Sequence, residues 1–146
     1  LMAYVHIAHD CIVGNQVILA NAVNLAGHVE IEDWVIVGGL VGVQQFSRIG
    51  QHSIIGGHYR VPKDVPPYIM AAREPLRYEG LNRVGLKRRN FPPETILALK
   101  RAYTLIYNSE YNVSDAIKKI EETPELMIPE VRNVIEFIKK SSRGII

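Results

Sequence analysis

The stretch HIAHDCIVGNQVILANAVNLAGHVEIEDWVIVGG, His6–Gly39, sets a branched aliphatic at Ile7, Val13, Leu19, Leu25, Ile31 and Val37, one every six residues. The same ruler reaches back to Leu1 and forward through Val43, Ile49, Ile55 and Val61 without a miss. Small residues follow many of these positions: Ala8, Gly14, Ala20, Ala26, Gly38, Gly50 and Gly56. A second inward slot holds Val5, Cys11, Val17, Val23, Val29, Val35 and Val41, then Ser47 and Ser53. An amphipathic helix repeats its apolar face every 3.6 residues, so this period excludes one. It is the signature of hexapeptide coils.

The physical consequence is a triangular prism with one short strand per hexad and three hexads per lap. The fold class is mainly β with α: a left-handed parallel β-helix, whose hand is an exception to the usual crossover rule, followed by a C-terminal helical domain. Residues eighteen apart then stack at roughly 4.8 Å, the spacing of hydrogen-bonded strands. Gly14, Asn15, Asn21 and Gly39 suit corners that need left-handed backbone angles. Past Val61 the ruler fails, and the prolines of VPKDVPPY remove strand donors. We place the coils at 1–72 and the helical domain at 73–146. Within the latter, a short helix is expected over YEGLNRVGLKRR. A longer one starts at the prolines of PPETILALKRAYTLIYNS, with Ile96, Leu99, Tyr103 and Ile106 on one face. Ser114 is the expected cap of DAIKKIEE, and PEVRNVIEFIKKS buries Val131, Val134, Ile135 and Ile138.

Composition narrows the function classes. Among 146 residues, 47% are apolar, enough to bury a core. No apolar run approaches the ~20 residues that span a bilayer. One cysteine leaves no internal disulfide framework and fits a reducing, cytoplasmic setting. A net charge of +2, with no nucleic-acid-binding motif, speaks against nucleic acid. The chain opens on Leu1 inside the repeat, which predicts a segment of something longer.

The eighteen-residue rule turns sequence into neighbours. His9 falls beneath Gly27 and Gln45, and Asp10 beneath His28 and Phe46. His6 falls beneath Asn24 and Gly42, across the adjoining corner. His9, Asp10, Gly27, His28 and Gln45 are therefore expected on one prism edge, where a base below a bare backbone N–H suits addition to a carbonyl. Cys11 fills a slot that valine fills elsewhere, so it is packing rather than a nucleophile. His52 and His58 fall on other parts of the prism and are expected to be solvated.

HIAHDCIVGN, LAGHVEI, QQF, GG, DVPPY, GLN and GLKRR, in this order and with these gaps, resemble the catalytic half and C-terminal helices of the bacterial UDP-N-acetylglucosamine O-acyltransferase family, which opens lipid A synthesis. The terminal GLNRVGLKRR after DVPPY distinguishes this family from other hexapeptide proteins. The resemblance implies that His9 is the general base on the sugar 3-hydroxyl. That hydroxyl attacks the thioester of a 3-hydroxyacyl chain on acyl carrier protein. It also implies that Asp10 orients the imidazole and that Gly27 offers its N–H to the oxyanion. His6, His28 and Gln45 match sugar- and acyl-site positions, and Asn82, Arg88 and Arg89 match positions near the nucleotide and its phosphates. Gly57 matches a position that limits acyl length, and as glycine it leaves room for a longer chain. No cofactor and no metal are implied.

Three positions depart from the family pattern: Gln44 where some relatives carry histidine, Val84 where some carry glutamate, and Pro75 where a histidine caps the acyl groove. They bear on nucleotide contact and chain length and leave the base unchanged. The resemblance further implies a homotrimer with sites between prisms. Lys87, Arg88, Arg89, Lys100 and Arg101 would then steer the acidic carrier protein, an effect that salt weakens. Two rivals stand beside this reading. One is a zinc enzyme of the carbonic anhydrase type, which binds its metal with three histidines between subunits. The other is a non-catalytic hexapeptide scaffold.

Overall fold

In the computed structural model, which describes Leu1–Ile146, ten two-residue strands follow one another at six-residue intervals. They are β1 (His6–Ile7), β2 (Ile12–Val13), β3 (Ile18–Leu19), β4 (Asn24–Leu25), β5 (Glu30–Ile31), β6 (Ile36–Val37), β7 (Gly42–Val43), β8 (Arg48–Ile49), β9 (Ile54–Ile55) and β10 (Arg60–Val61). Every third strand pairs in parallel, giving the faces β1-β4-β7-β10, β2-β5-β8 and β3-β6-β9. The register is eighteen residues throughout, as in His6↔Asn24, Ile12↔Glu30 and Ile18↔Ile36. This is the left-handed parallel β-helix that the six-residue ruler requires. Leu19, Leu25, Ile31, Val37, Val43, Ile49, Ile55 and Val61 are buried on its axis. Truncating one of the leucines or isoleucines among these to alanine costs about 2–5 kcal/mol, through lost burial and the cavity left behind.

Each corner carries one residue with φ near +60°: Tyr4, Asp10, Gln16, Ala22, His28, Trp34, Leu40, Phe46, His52 and His58. The expected corner residues Gly14, Asn15, Asn21 and Gly39 are not among them. The left-handed position lies one or two residues later and accepts many side chains. From Ala22 to His58 each of these residues donates its N–H to the lap below, such as His28 N–H to His9 O at 3.0 Å and Phe46 N–H to Gly27 O at 3.1 Å.

The prolines do not end pairing at once. Strand β11 (Ile69–Ala72) adds to β9 in parallel, and β12 (Arg77–Leu81) returns antiparallel against β11. The hairpin thus straddles the expected boundary at 72/73. Tyr78 to Leu81, expected in a helix, are strand; the helix is shorter, α1 (Arg83–Arg88). Three longer helices follow: α2 (Pro93–Tyr107), α3 (Val113–Glu121) and α4 (Pro129–Lys139). The cap of α3 is Asn112, which accepts from Asp115 N–H at 2.9 Å, rather than Ser114. Leu99, Tyr103, Ile106, Val131, Val134 and Ile135 join the same core as the coils. The buried Tyr103 hydroxyl donates to Pro67 O at 2.5 Å, and buried Asp64 accepts from both Arg48 N–H and Ser141 Oγ. No helix is long and apolar enough to cross a membrane.

Candidate active site

The corner between the β1 and β2 faces carries two columns, because the coil repeats there lap after lap. His9, Gly27 and Gln45 form one; Asp10, His28 and Phe46 form the other. His9 Nδ1 and Asp10 Oδ2 lie 3.0 Å apart. With the carboxylate ionised, Nδ1 must donate, which leaves Nε2 as the free acceptor. The His9 hydrogen bond, and then the charge of nearby His28, hold the Asp10 carboxyl below the usual carboxylate range. His28 Nε2 stands 3.7 Å from the same oxygen.

Gly27 lies directly over the His9 ring and is buried. A Cβ on it would come within 2.7 Å of Cε1 and 2.8 Å of Nε2. The Gly27 carbonyl is engaged by Phe46 N–H, whereas its own N–H donates to no group of the chain. A basic nitrogen therefore lies against a residue whose amide is unengaged. Such a pair can remove a proton from a hydroxyl and stabilise the oxyanion formed when that oxygen adds to a carbonyl.

The remaining expected residues divide in two groups. Gln45 tops the His9 column and His6 borders the corner from β1, both exposed. Beside them the β1-β4-β7-β10 face bears a slot of about 270 Å³, lined by Asn24, Ala26, Gly42, Val43, Gln44 and Arg60. Gly42 leaves the slot open, with nothing within 4 Å of where its Cβ would be. Gly57 sits on the corner at the other end of that face, beside Gly39. Asn82, Arg88 and Arg89 do not join the cluster within one chain, since α1 packs on the Trp34–His52 corner. Asn82 is buried, its amide donating to His52 O at 2.9 Å and accepting from Gly85 N–H at 3.3 Å. Its direct effect is on α1, whose N-terminus it caps. Arg89 lies over Trp34, 5.0 Å from the ring centroid, and Arg88 is exposed.

His52 corrects a sequence expectation. It is buried at 9% exposure, stacked between Trp34 and Tyr68 and against Phe91. Burial, helped by the Arg89 cation, pulls its pKa down to about 4. Arg89 Nη1 donates to Nδ1 at 3.1 Å, consistent with a neutral ring protonated on Nε2. Nothing in the six-residue pattern announces this, because α1 and Phe91 arrive from outside the repeat. His58 is exposed, as expected. Cys11 packs against the core, its thiol donating to Ala26 O at 3.1 Å. The one group of side chains with metal-ligand spacing is His9, Asp10 and His28, ligand atoms within 4.8 Å of one another. It contains two imidazoles and one carboxylate, and His6 is outside it.

Comparison with known proteins adds an independent line. Residues 64–146 match the family described as UDP-N-acetylglucosamine O-acyltransferase, domain 2. The chain is 46% identical over 147 residues to the acyl-(acyl-carrier-protein)--UDP-N-acetylglucosamine O-acyltransferase of Thiobacillus denitrificans, covering 100% of this chain and 56% of that protein. It is 46% identical over 149 residues to the enzyme of the same name from Burkholderia lata, covering 100% and 57%. The crystal structure of a UDP-N-acetylglucosamine acyltransferase from Bacteroides fragilis superposes with a TM-score of 0.97 at 44% identity, over 100% of this chain and 57% of that one. The chain thus spans a little over half the length of these relatives.

Proposed function

Because the chain belongs to the UDP-N-acetylglucosamine O-acyltransferase family, we propose that it carries the catalytic coils of an enzyme that moves a 3-hydroxyacyl chain from acyl carrier protein to the 3-hydroxyl of UDP-N-acetylglucosamine. This would be the first step of lipid A synthesis. The observation that carries the reading is the His9 ring, held through Nδ1 by Asp10 with Nε2 against Gly27.

His9 Nε2 takes the proton of the sugar hydroxyl as its oxygen adds to the thioester carbonyl. The negative charge that develops on the carbonyl oxygen is met by Gly27 N–H. Collapse of the tetrahedral intermediate breaks the C–S bond, and the imidazolium returns its proton to the departing thiolate. Asp10 keeps Nδ1 protonated throughout and stabilises the cation between the two proton transfers. The acyl group passes directly to the sugar, with Cys11 turned inward to Ala26 O.

We assign the open slot beside Gly42 and the glycine corner at Gly57 to the acyl chain, and His6, His28 and Gln45 to the substrates around the base. Arg88 and Arg89 lie on a different corner from His9, so a nucleotide reached by both groups must lie between two prisms. A homotrimer supplies that arrangement. In support, Ile18, Ile36, Ile54 and Met70 form an outward apolar ladder in register on one face, with Ile18 and Met70 40% or more exposed. Lys100 and Arg101 on α2 add positive charge toward an acidic carrier protein. The single free thiol goes with a cytoplasmic location.

The test is an assay of the full-length protein with acyl carrier protein thioesters and UDP-N-acetylglucosamine, following product by mass. One thiol released per O-acylated sugar nucleotide, unchanged by a chelator, is expected. Thiol release that ignores the sugar nucleotide, or activity that chelation abolishes, would contradict the reading.

A further inference from the structure

Asp10, His28 and Phe46 occupy the same left-handed corner position on three successive laps. Phe46 lies flat on the His28 ring, centroids 4.6 Å apart and planes 6° from parallel. Below it, His28 turns Nε2 toward Asp10 at 3.7 Å and meets the His9 ring edge-on at 5.2 Å. Phe46 is 53% exposed, so the core does not explain a large apolar side chain here. His28 is the one aromatic partner Phe46 has. An exposed histidine on a corner has several side-chain rotamers available, and only some aim a ring nitrogen at the carboxylate below.

We propose that Phe46 is a positioning residue of the transfer reaction: by stacking on His28 it keeps that imidazole above Asp10, so that the His9–Asp10 pair works beneath a fixed roof. The inference rests on His9 being the base. Phe46 stacks on His28, and its effect passes through that ring. An offset or parallel aromatic stack biases a rotamer equilibrium by a few-fold to about ten-fold. Loss of the ring should lower turnover by a comparable factor, and weaken substrate binding no more than loss of His28 itself does. Tyrosine preserves the stacking face, whereas leucine preserves bulk without it.

A double-mutant cycle in the full-length enzyme tests this. We expect Phe46→Ala and Phe46→Leu to lower kcat about three- to ten-fold with any rise in KM no larger than that of His28→Ala, and Phe46→Tyr to keep kcat near wild type. In a His28→Ala background, Phe46→Ala should cost nothing further. The imidazole C–H resonances of His28 should move downfield in Phe46→Ala as the ring current is lost. Losses that multiply in the double mutant, a wild-type kcat in Phe46→Ala, or an unchanged His28 resonance would overturn the inference. A His9→Ala control separates the two readings: wild-type turnover there removes the base assignment, whereas the His28 resonance still reports the stack.

Discussion

A Cβ added to Gly27 would stand 2.8 Å from Nε2 of His9, one lap below it. No positive φ is required at Gly27, so the backbone itself admits alanine. The closeness of the ring is what alanine cannot meet. In Gly27→Ala, the exposed His9 ring must swing away from the amide. We expect turnover to fall on the order of 10²-fold while the midpoint of thermal unfolding moves little. A large drop in that midpoint would mean that Gly27 serves the coil and not the chemistry.

Asp10 is exposed, yet its carboxyl is held below the ordinary range by the His9 hydrogen bond and the His28 charge. Because its folded pKa is depressed, any stability it contributes is present above the ordinary carboxylate pKa and lost as pH falls through the lower, folded value. From neutral pH down to mild acid it therefore stays anionic, and an acid limb of the rate profile in that range does not arise from Asp10. Asp10→Asn should lower kcat on the order of 10²-fold or more and leave the folded state intact by circular dichroism.

His52 carries the pH dependence of stability at the far corner. With a folded pKa of about 4 against 6.5 unfolded, the unfolded chain takes up the proton first. Stability is full above pH 6.5 and declines as pH falls toward 4, by about 1–3 kcal/mol. Urea unfolding between pH 7 and 4 measures this. His52→Phe, which keeps a ring among Trp34, Tyr68 and Phe91, should flatten that segment of the curve.

Gly57 has room for a side chain, since its Cβ would meet the Gly39 backbone at 3.4 Å and 3.6 Å, which is ordinary contact. Gly57→Met should fold normally and move donor preference toward shorter acyl chains, read as a ratio of kcat/KM for two thioesters. An unchanged ratio would take the acyl chain away from this corner.

The parts of the molecule that repeat were the parts legible in the sequence. A fixed six-residue period and three strands per lap make neighbours a matter of counting, and His9, Asp10, Gly27, His28 and Gln45 meet where counting puts them. Residues whose surroundings come from outside the repeat were not legible. His52 is buried because α1 and Phe91 close over it, and Asn82 spends its amide on capping α1 and on His52 O. Tyr78 to Leu81 extend a sheet because β11 offers an edge, overriding their helical reading. The corner angle fell one or two residues later than glycine and asparagine suggested, at residues as varied as Ala22, Trp34 and Leu40, whose N–H groups bond to the lap below. Phe46 on His28 could have been counted from the period, but only the ring planes reveal the stack.

Single-turnover acyl transfer by the full-length enzyme, comparing His9→Ala with Cys11→Ala, tests the central claim most directly. A rate lowered roughly 10²–10⁴-fold in His9→Ala, with Cys11→Ala transferring at the wild-type rate, is the predicted result. His9→Ala turning over like wild type, or Cys11→Ala losing transfer while still folded, would contradict it.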